Sequence, residues 1–240
     1  MFEKLPRQGP GDDESTKRAF GKLKGLPENP SILDIGCGAG MQTIALSKLT
    51  SGKITALDNH PFFIEILRKK IIDAGMQDKI KTVIGDMSTM DFSENSFDVI
   101  WSEGSSFIIG FENALKLWKK YLRPKGYLVI SDLVWFTKEP PLKAKKFFEV
   151  SGASVFYFED LFLKIASAGY ENTDYFKLPD ESWWTHFYAP MKELIEQKMI
   201  EYKGDKKSEE VLEMLKLETE IHEQYKEFYG YGFYVMRKDA

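Results

Sequence analysis

The chain has 240 residues, 43% of them hydrophobic, with 33 basic against 37 acidic residues and a formal net charge of -4. That length can bury the core of one α/β domain with an insertion, the charge balance excludes a basic nucleic-acid-binding face, and no apolar run approaches the roughly 18 residues that would suggest a membrane span. One cysteine, Cys37, excludes an internal disulfide and suits a reducing cytoplasm; Met1 to Thr16 lacks the apolar centre of a signal peptide, and the histidines His60, His186 and His222 lack the spacing of a zinc site.

Pro6, Gly9, Pro10 and Gly11 predict an irregular N-terminal arm, and Asp12-Asp13-Glu14-Ser15 opens a helix running to about Leu23, with acids where the helix dipole favours them. Ile32 to Ile35 reads as a short buried strand. Gly36, Gly38 and Gly40 follow at alternate positions, and Met41 to Leu49 carries apolar residues at helical spacing. A strand, glycine turn and helix in that order bring backbone N–H groups and a positive helix end against a ligand. The dinucleotide fingerprint requires glycines at G-x-G-x-x-G, and its last position here is Met41.

Lys53 to Asp58 is the second strand. Asp58 stands about 20 residues past the glycine turn, where a ribose-binding carboxylate is expected, and Asn59 follows it. Pro61 starts a helix that Gly75 ends. Ile80 to Ile84 is the third strand, leaving through Gly85-Asp86-Met87. Phe97 to Trp101 is the fourth, and Ser102-Glu103-Gly104 lies at its carboxyl end, where open α/β sheets bind ligands. Phe111 to Leu122 is an amphipathic helix; Pro124 and Gly126 then turn the chain into a fifth strand ending near Asp132. Trp135 and Phe136 mark a loop, and helices are predicted from Pro141 to Val150 and from Asp160 to Ala168. A sixth strand follows over Asn172 to Leu178, and the last is read over Tyr231 to Arg237. Between those two strands lies a helical hairpin, one arm from Pro190 and one from Val211 to Phe228, with a solvated break over Tyr202 to Glu210.

The segment Asp34-Ile35-Gly36-Cys37-Gly38-Ala39-Gly40 resembles motif I of the class I methyltransferases that use S-adenosylmethionine. Phe97-Asp98-Val99-Ile100 resembles their motif IV. Leu122-Arg123-Pro124-Lys125-Gly126 resembles their Leu-Lys/Arg-Pro-Gly-Gly turn, with Lys125 in place of the first glycine. The likeness runs from about Leu33 to Gly169, in the style of small-molecule enzymes of quinone and sterol biosynthesis. It implies an α/β, Rossmann-like, seven-stranded and mostly parallel sheet with helices on both faces, an antiparallel last strand and a helical insertion before it. As one domain, this divides into an arm and helix (1–28), a cofactor-binding core (29–180), an insertion or lid (181–229) and a closing strand (230–240).

The same likeness implies S-adenosyl-L-methionine as cofactor, held by Asp34, Gly36, Cys37, Gly38, Gly40, Asp58, Asn59, Asp86, Met87, Ser102, Glu103 and Gly104, with Asp86 on the adenine amino group. It also makes Gly9-Pro10-Gly11 either a mobile tail or a lid over the cofactor. The expected reaction is in-line methyl transfer to a small-molecule acceptor, lined by Trp135, Trp183, Trp184 and Tyr188. Glu103 and His186 are the candidate bases if the acceptor needs one. The alternatives are a nicotinamide-dependent oxidoreductase, which Met41 disfavours, and a non-catalytic cofactor-binding protein. No metal, nucleic acid or membrane partner is expected, a cytoplasmic location is, and a homodimer through the hairpin stays open.

Overall fold

The computed structural model describes Phe2 to Asp239; Met1 and Ala240, the ends of the expected arm and closing strand, lie outside the described residues. The strands are β1 (Ser31–Ile35), β2 (Lys53–Asp58), β3 (Ile80–Ile84), β4 (Phe97–Glu103), β5 (Leu122–Trp135), β6 (Phe156–Tyr157), β7 (Tyr170–Lys177) and β8 (Tyr229–Lys238). They form one sheet in the order β3-β2-β1-β4-β5-β8-β7, with β6 paired to the end of β5. The pairs β1–β2, β2–β3, β1–β4 and β4–β5 are parallel. The last strand, β8, runs antiparallel to both β5 and β7. The two-residue β6 is the one strand with no counterpart in the seven expected, being too short to leave a periodic signal.

Strand residues alternate between two buried faces. Ile32, Val99, Trp101 and Val129 join one apolar cluster, and Leu33, Ile100, Leu128 and Ile130 join the other. A sheet covered on both sides needs apolar residues at successive positions, so its strands read as continuous apolar runs. The cover comes from helices α1 (Asp13–Phe20), α2 (Met41–Leu49), α3 (Pro61–Asp73), α4 (Phe111–Trp118), α5 (Leu142–Ser151) and α6 (Asp160–Ser167). The first stops at Phe20, short of Leu23, because Gly21 caps it.

The insertion is one nearly continuous helical path. It comprises α7 (Glu181–Trp183), a π-helical turn over Trp184–Tyr188, α8 (Ala189–Glu201) and α9 (Lys206–Tyr225). The expected break at Tyr202 to Glu210 shrinks to 202–205. Its polar second half is the solvated first turn of α9, stabilised by a Ser208 hydroxyl donating to Asp205 (2.7 Å) and by Glu209 accepting from the Gly204 N–H (2.9 Å). Polarity there marked exposure, not loss of helix.

The turn into β5 bulges between the pairs Phe97–Leu122 and Val99–Tyr127. Within the bulge Lys125 has φ +64°, a conformation in which a side chain is strained. This is the position where the resembled turn carries glycine. Lys125→Gly is therefore expected to stabilise the chain by about 0.5–1 kcal/mol, part of the relief being offset by the looser unfolded chain. Calorimetric melting should register it as a rise of roughly 2–4 °C; an unchanged or lower melting temperature contradicts the strain.

Candidate cofactor and acceptor site

The strand order reverses between β1 and β4, since β2 and β3 extend the sheet one way and β4 and β5 the other. A crevice opens at the carboxyl ends of strands at such a point. Here it is a cavity of about 420 Å³, within the usual range for small-ligand sites of roughly 300–1,000 Å³. Its walls bring together Gly36, Cys37 and Gly38 after β1, Asp58, Asn59 and His60 after β2, Gly85 and Met87 after β3, and Glu103, Gly104 and Ser105 at β4. The N-terminal arm and the insertion close it.

The glycine turn is drawn tight. The N–H groups of Gly36 and Cys37 both donate to the Leu57 carbonyl, at 2.8 and 3.1 Å. Gly36 has φ +69°, and a Cβ there would lie 2.3 Å from the Ser105 hydroxyl oxygen, so no other residue fits. The Gly38 N–H donates to Asp58 Oδ2 at 2.8 Å, and the His60 N–H to Asp58 Oδ1 at 2.9 Å. That carboxylate is fixed in the cavity wall with acceptor positions left over.

Asp34 is placed differently from the expectation. It is fully buried beneath the turn and does not line the cavity. Thr43 donates to its Oδ2 at 2.5 Å and Gln42 to its Oδ1 at 3.4 Å, so it ties α2 to β1. Burial pushes its pKa up to about 7, against the Thr43 bond, with the nearby Glu103 adding to the rise. The unfolded chain therefore loses this proton first, near pH 4, while the folded chain holds it to about pH 7. Stability contributed by the protonated form falls as pH rises through that window. Asp34→Asn removes the titration, so the variant should gain on the parent by on the order of 2–4 kcal/mol between pH 4 and pH 8. Denaturant unfolding at several pH values measures this, and parallel curves would exclude it.

Asp86 is exposed. Its carboxylate accepts from its neighbour Ser88, at 2.7 Å from the N–H and 2.5 Å from the hydroxyl. Its flanking residues Gly85 and Met87 line the cavity, but Asp86 does not. Ser102 is buried against the Ser105 hydroxyl at 2.7 Å, and Gly40 likewise stands behind the wall. Cys37 lines it, but burial and the charges of Asp34 and Asp58 push its thiol well up, which removes it as a nucleophile.

Glu103 lines the cavity yet is already engaged. Arg7 of the arm pairs with its Oε2, and its Oε1 accepts from Thr16 (2.7 Å) and from the Trp101 indole (2.9 Å). Those donors make it an anchor for the arm instead of the proton acceptor expected. His186 sits on the π-helical turn, outside the wall. Of the four expected acceptor residues, Trp183 and Tyr188 line the cavity. Trp135 packs against Phe148 and Tyr229 in the core, and Trp184 packs against Tyr188.

The arm supplies wall residues, of which sequence reading singles out Gly9 and Pro10, as tail or lid, but not Phe2, Arg7 or Gln8. Phe2, Arg7, Gln8, Gly9 and Pro10 all line the cavity, and Gln8 Oε1 accepts from the Ala39 N–H at 2.8 Å. Phe2 stacks on Phe187 of the insertion with ring centroids 6.3 Å apart. The Gly9-Pro10-Gly11 arm is thus docked over the glycine turn. Glu218, Tyr229 and Tyr231 are further wall residues from α9 and β8; no local motif marks them.

Comparison with known proteins agrees with this geometry. The family model described as "Methyltransferase domain" matches residues 32–126. A sterol 24-C-methyltransferase of Pneumocystis carinii is 31% identical over 134 residues, covering 52% of this chain and 36% of that protein. The chain spans about a third of the length of the first curated relatives it matches. Among solved structures, YjhP of E. coli superposes with a TM-score of 0.84 at 18% identity, covering 98% of this chain and 96% of that one. A methyltransferase of Geobacter sulfurreducens in complex with S-adenosyl-L-homocysteine superposes with a TM-score of 0.82, also at 18% identity, covering 98% and 94%. The glycine turn and the reversal of strand order thus fall within a segment, residues 32–126, similar to the methyltransferase domain family, and the chain has the fold of the solved methyltransferase on which it superposes.

Proposed function

We propose that this chain transfers a methyl group from S-adenosylmethionine to a small-molecule acceptor, acting in the cytoplasm as a single domain whose insertion, 181–229, covers the acceptor. One observation carries the reading: a single cavity joins the glycine turn and Asp58 to the aromatic residues of the insertion. The cofactor fits the residues present. Asp58 keeps free acceptor positions for ribose hydroxyls, and the turn at Gly36 has no room for a side chain. Gly85 and Met87 offer backbone to an adenine, and Gly104 lies where the methionine part would run. When bound, S-adenosylmethionine supplies a methyl group on a cationic sulfur that leaves as a neutral thioether.

The protein's own work is then to orient the acceptor and to exclude water. The docked arm and the insertion do both, because they cover the crevice with Phe2, Phe187 and Trp183. Glu103 acts by holding the arm through Arg7, and neither a proton relay nor a covalent step is required of it. Titration calorimetry with S-adenosylmethionine and with NAD tests the assignment. Saturable heat with the first and none with the second is expected, followed by formation of S-adenosylhomocysteine in an acceptor panel. Preferential binding of NAD would return the chain to the oxidoreductase reading.

A further inference from the structure

Where the insertion and β8 wall the cavity, four aromatic rings cluster, and one carboxylate lines the wall with them. The Trp183 ring lies 5.7 Å from Tyr188, 6.2 Å from Tyr229 and 4.9 Å from Tyr231, centroid to centroid, and all four line the cavity. Glu218, from α9, lines it with them. Its Oε1 accepts from the Tyr188 hydroxyl at 3.0 Å, and its Oε2 has no such bond. Tyr229 carries a buried hydroxyl with no hydrogen-bond partner.

Among the described residues no cation balances Glu218. Of the basic side chains of the wall, Arg7 is paired with Glu103, and His60 stands by Glu3 at 3.8 Å. His222, stacked on Trp183 at 4.3 Å, bonds to Asp180 at 3.0 Å, and burial pushes its pKa down to about 4, so it is neutral near pH 7. Burial raises the Glu218 pKa, as befits a carboxyl without a counter-charge. A carboxylate beside the faces and edges of electron-rich rings attracts one ligand chemistry above others. A nitrogen cation gains from both the charge and the ring quadrupoles, whereas an uncharged apolar acceptor would leave the carboxyl buried against hydrocarbon.

We propose that Glu218 and the rings of Trp183, Tyr188, Tyr229 and Tyr231 form an ammonium-binding subsite, so that the acceptor is a small molecule bearing a positively charged nitrogen. The inference rests on the methyltransferase reading of the cavity and deepens it by naming a substrate class.

Choline is the probe, and dimethylbutanol, its uncharged carbon isostere, is the control. Both are titrated into the full chain, with and without S-adenosylhomocysteine, by ligand-observed magnetic resonance and tryptophan fluorescence. Choline should bind saturably, and dimethylbutanol at least about tenfold more weakly. Glu218→Gln, which keeps an acceptor for Tyr188, should weaken choline about tenfold while its melting temperature and its affinity for S-adenosylhomocysteine hold. Equal binding of the two probes, no binding of choline, or undiminished choline binding by the variant overturns the subsite. If the variant does not fold, the two probes on the parent chain still decide. S-adenosylhomocysteine affinity separates the levels: if it binds while choline does not, the ammonium subsite alone fails; if it does not bind, the cofactor assignment fails first.

Discussion

Asp58→Ala is expected to weaken S-adenosylmethionine binding by roughly 100-fold or more and to lower stability by about 1–3 kcal/mol, since the Gly38 and His60 N–H groups lose their acceptor. The Asp58 carboxylate does two things at once. It accepts the Gly38 and His60 N–H groups, at 2.8 and 2.9 Å, which sets the shape of the glycine turn. Its remaining acceptor positions belong to the cavity wall beside that turn and are available to a pair of ribose hydroxyls. Hydrogen bonds to a charged acceptor contribute roughly 1.5–3 kcal/mol each, so losing two corresponds to two decades of affinity or more. Asp58→Asn retains an acceptor but presents donors as well, and should fall between the parent and the alanine variant. Calorimetry on the three proteins checks the order. An alanine variant with parental affinity would remove Asp58 from the cofactor site.

The second large effect concerns the arm. Arg7 and Glu103 are both buried, and their pairing bridges 96 positions of sequence. Removing one member of a buried pair leaves the other without compensation, at a loss of about 3–5 kcal/mol where nothing relaxes. Here the arm can undock and let water reach the survivor, so a loss of roughly 2–4 kcal/mol is expected for Arg7→Ala or Glu103→Gln, with melting lowered by about 5–15 °C. The double variant should recover part of the loss, giving a coupling of about 2 kcal/mol in a double-mutant cycle. Limited proteolysis should cut the arm faster in each single variant. Turnover distinguishes anchor from base. If Glu103 anchors the arm, both single variants lose activity together; if it were a base, only the Glu103 variant would lose turnover, and Arg7→Ala would keep it.

The same ion pair shows where sequence reading stopped. Glu103 is conspicuous because it ends a strand at the ligand edge of the sheet, and strand position is a local property. Its partner is not, because Arg7 lies in an arm with no periodicity to read. Glu218 was hidden for a related reason: on a polar helix with six acids, nothing local separates a carboxyl facing a cavity from one facing water. Asp34 shows the converse. Its position at the end of β1 was legible, but its depth was set by the packing of α2 above it, and a fully buried acid cannot touch a ligand.

By itself the sequence determined the order of the seven expected strands and of the main helices, the tight glycine turn and the acid at the end of β2. Each follows from short-range rules: apolar runs make buried strands, absent Cβ atoms permit left-handed turns, and parallel crossovers bring consecutive strand ends to one edge. Only the tertiary structure decided that the arm closes the cavity, that Glu103 is occupied by Arg7, and that Glu218 shares a cavity wall with four aromatic rings from α7, the π-turn and β8. Those contacts join residues tens to hundreds of positions apart. Their geometry depends on how whole elements pack, which no local pattern of residue types encodes.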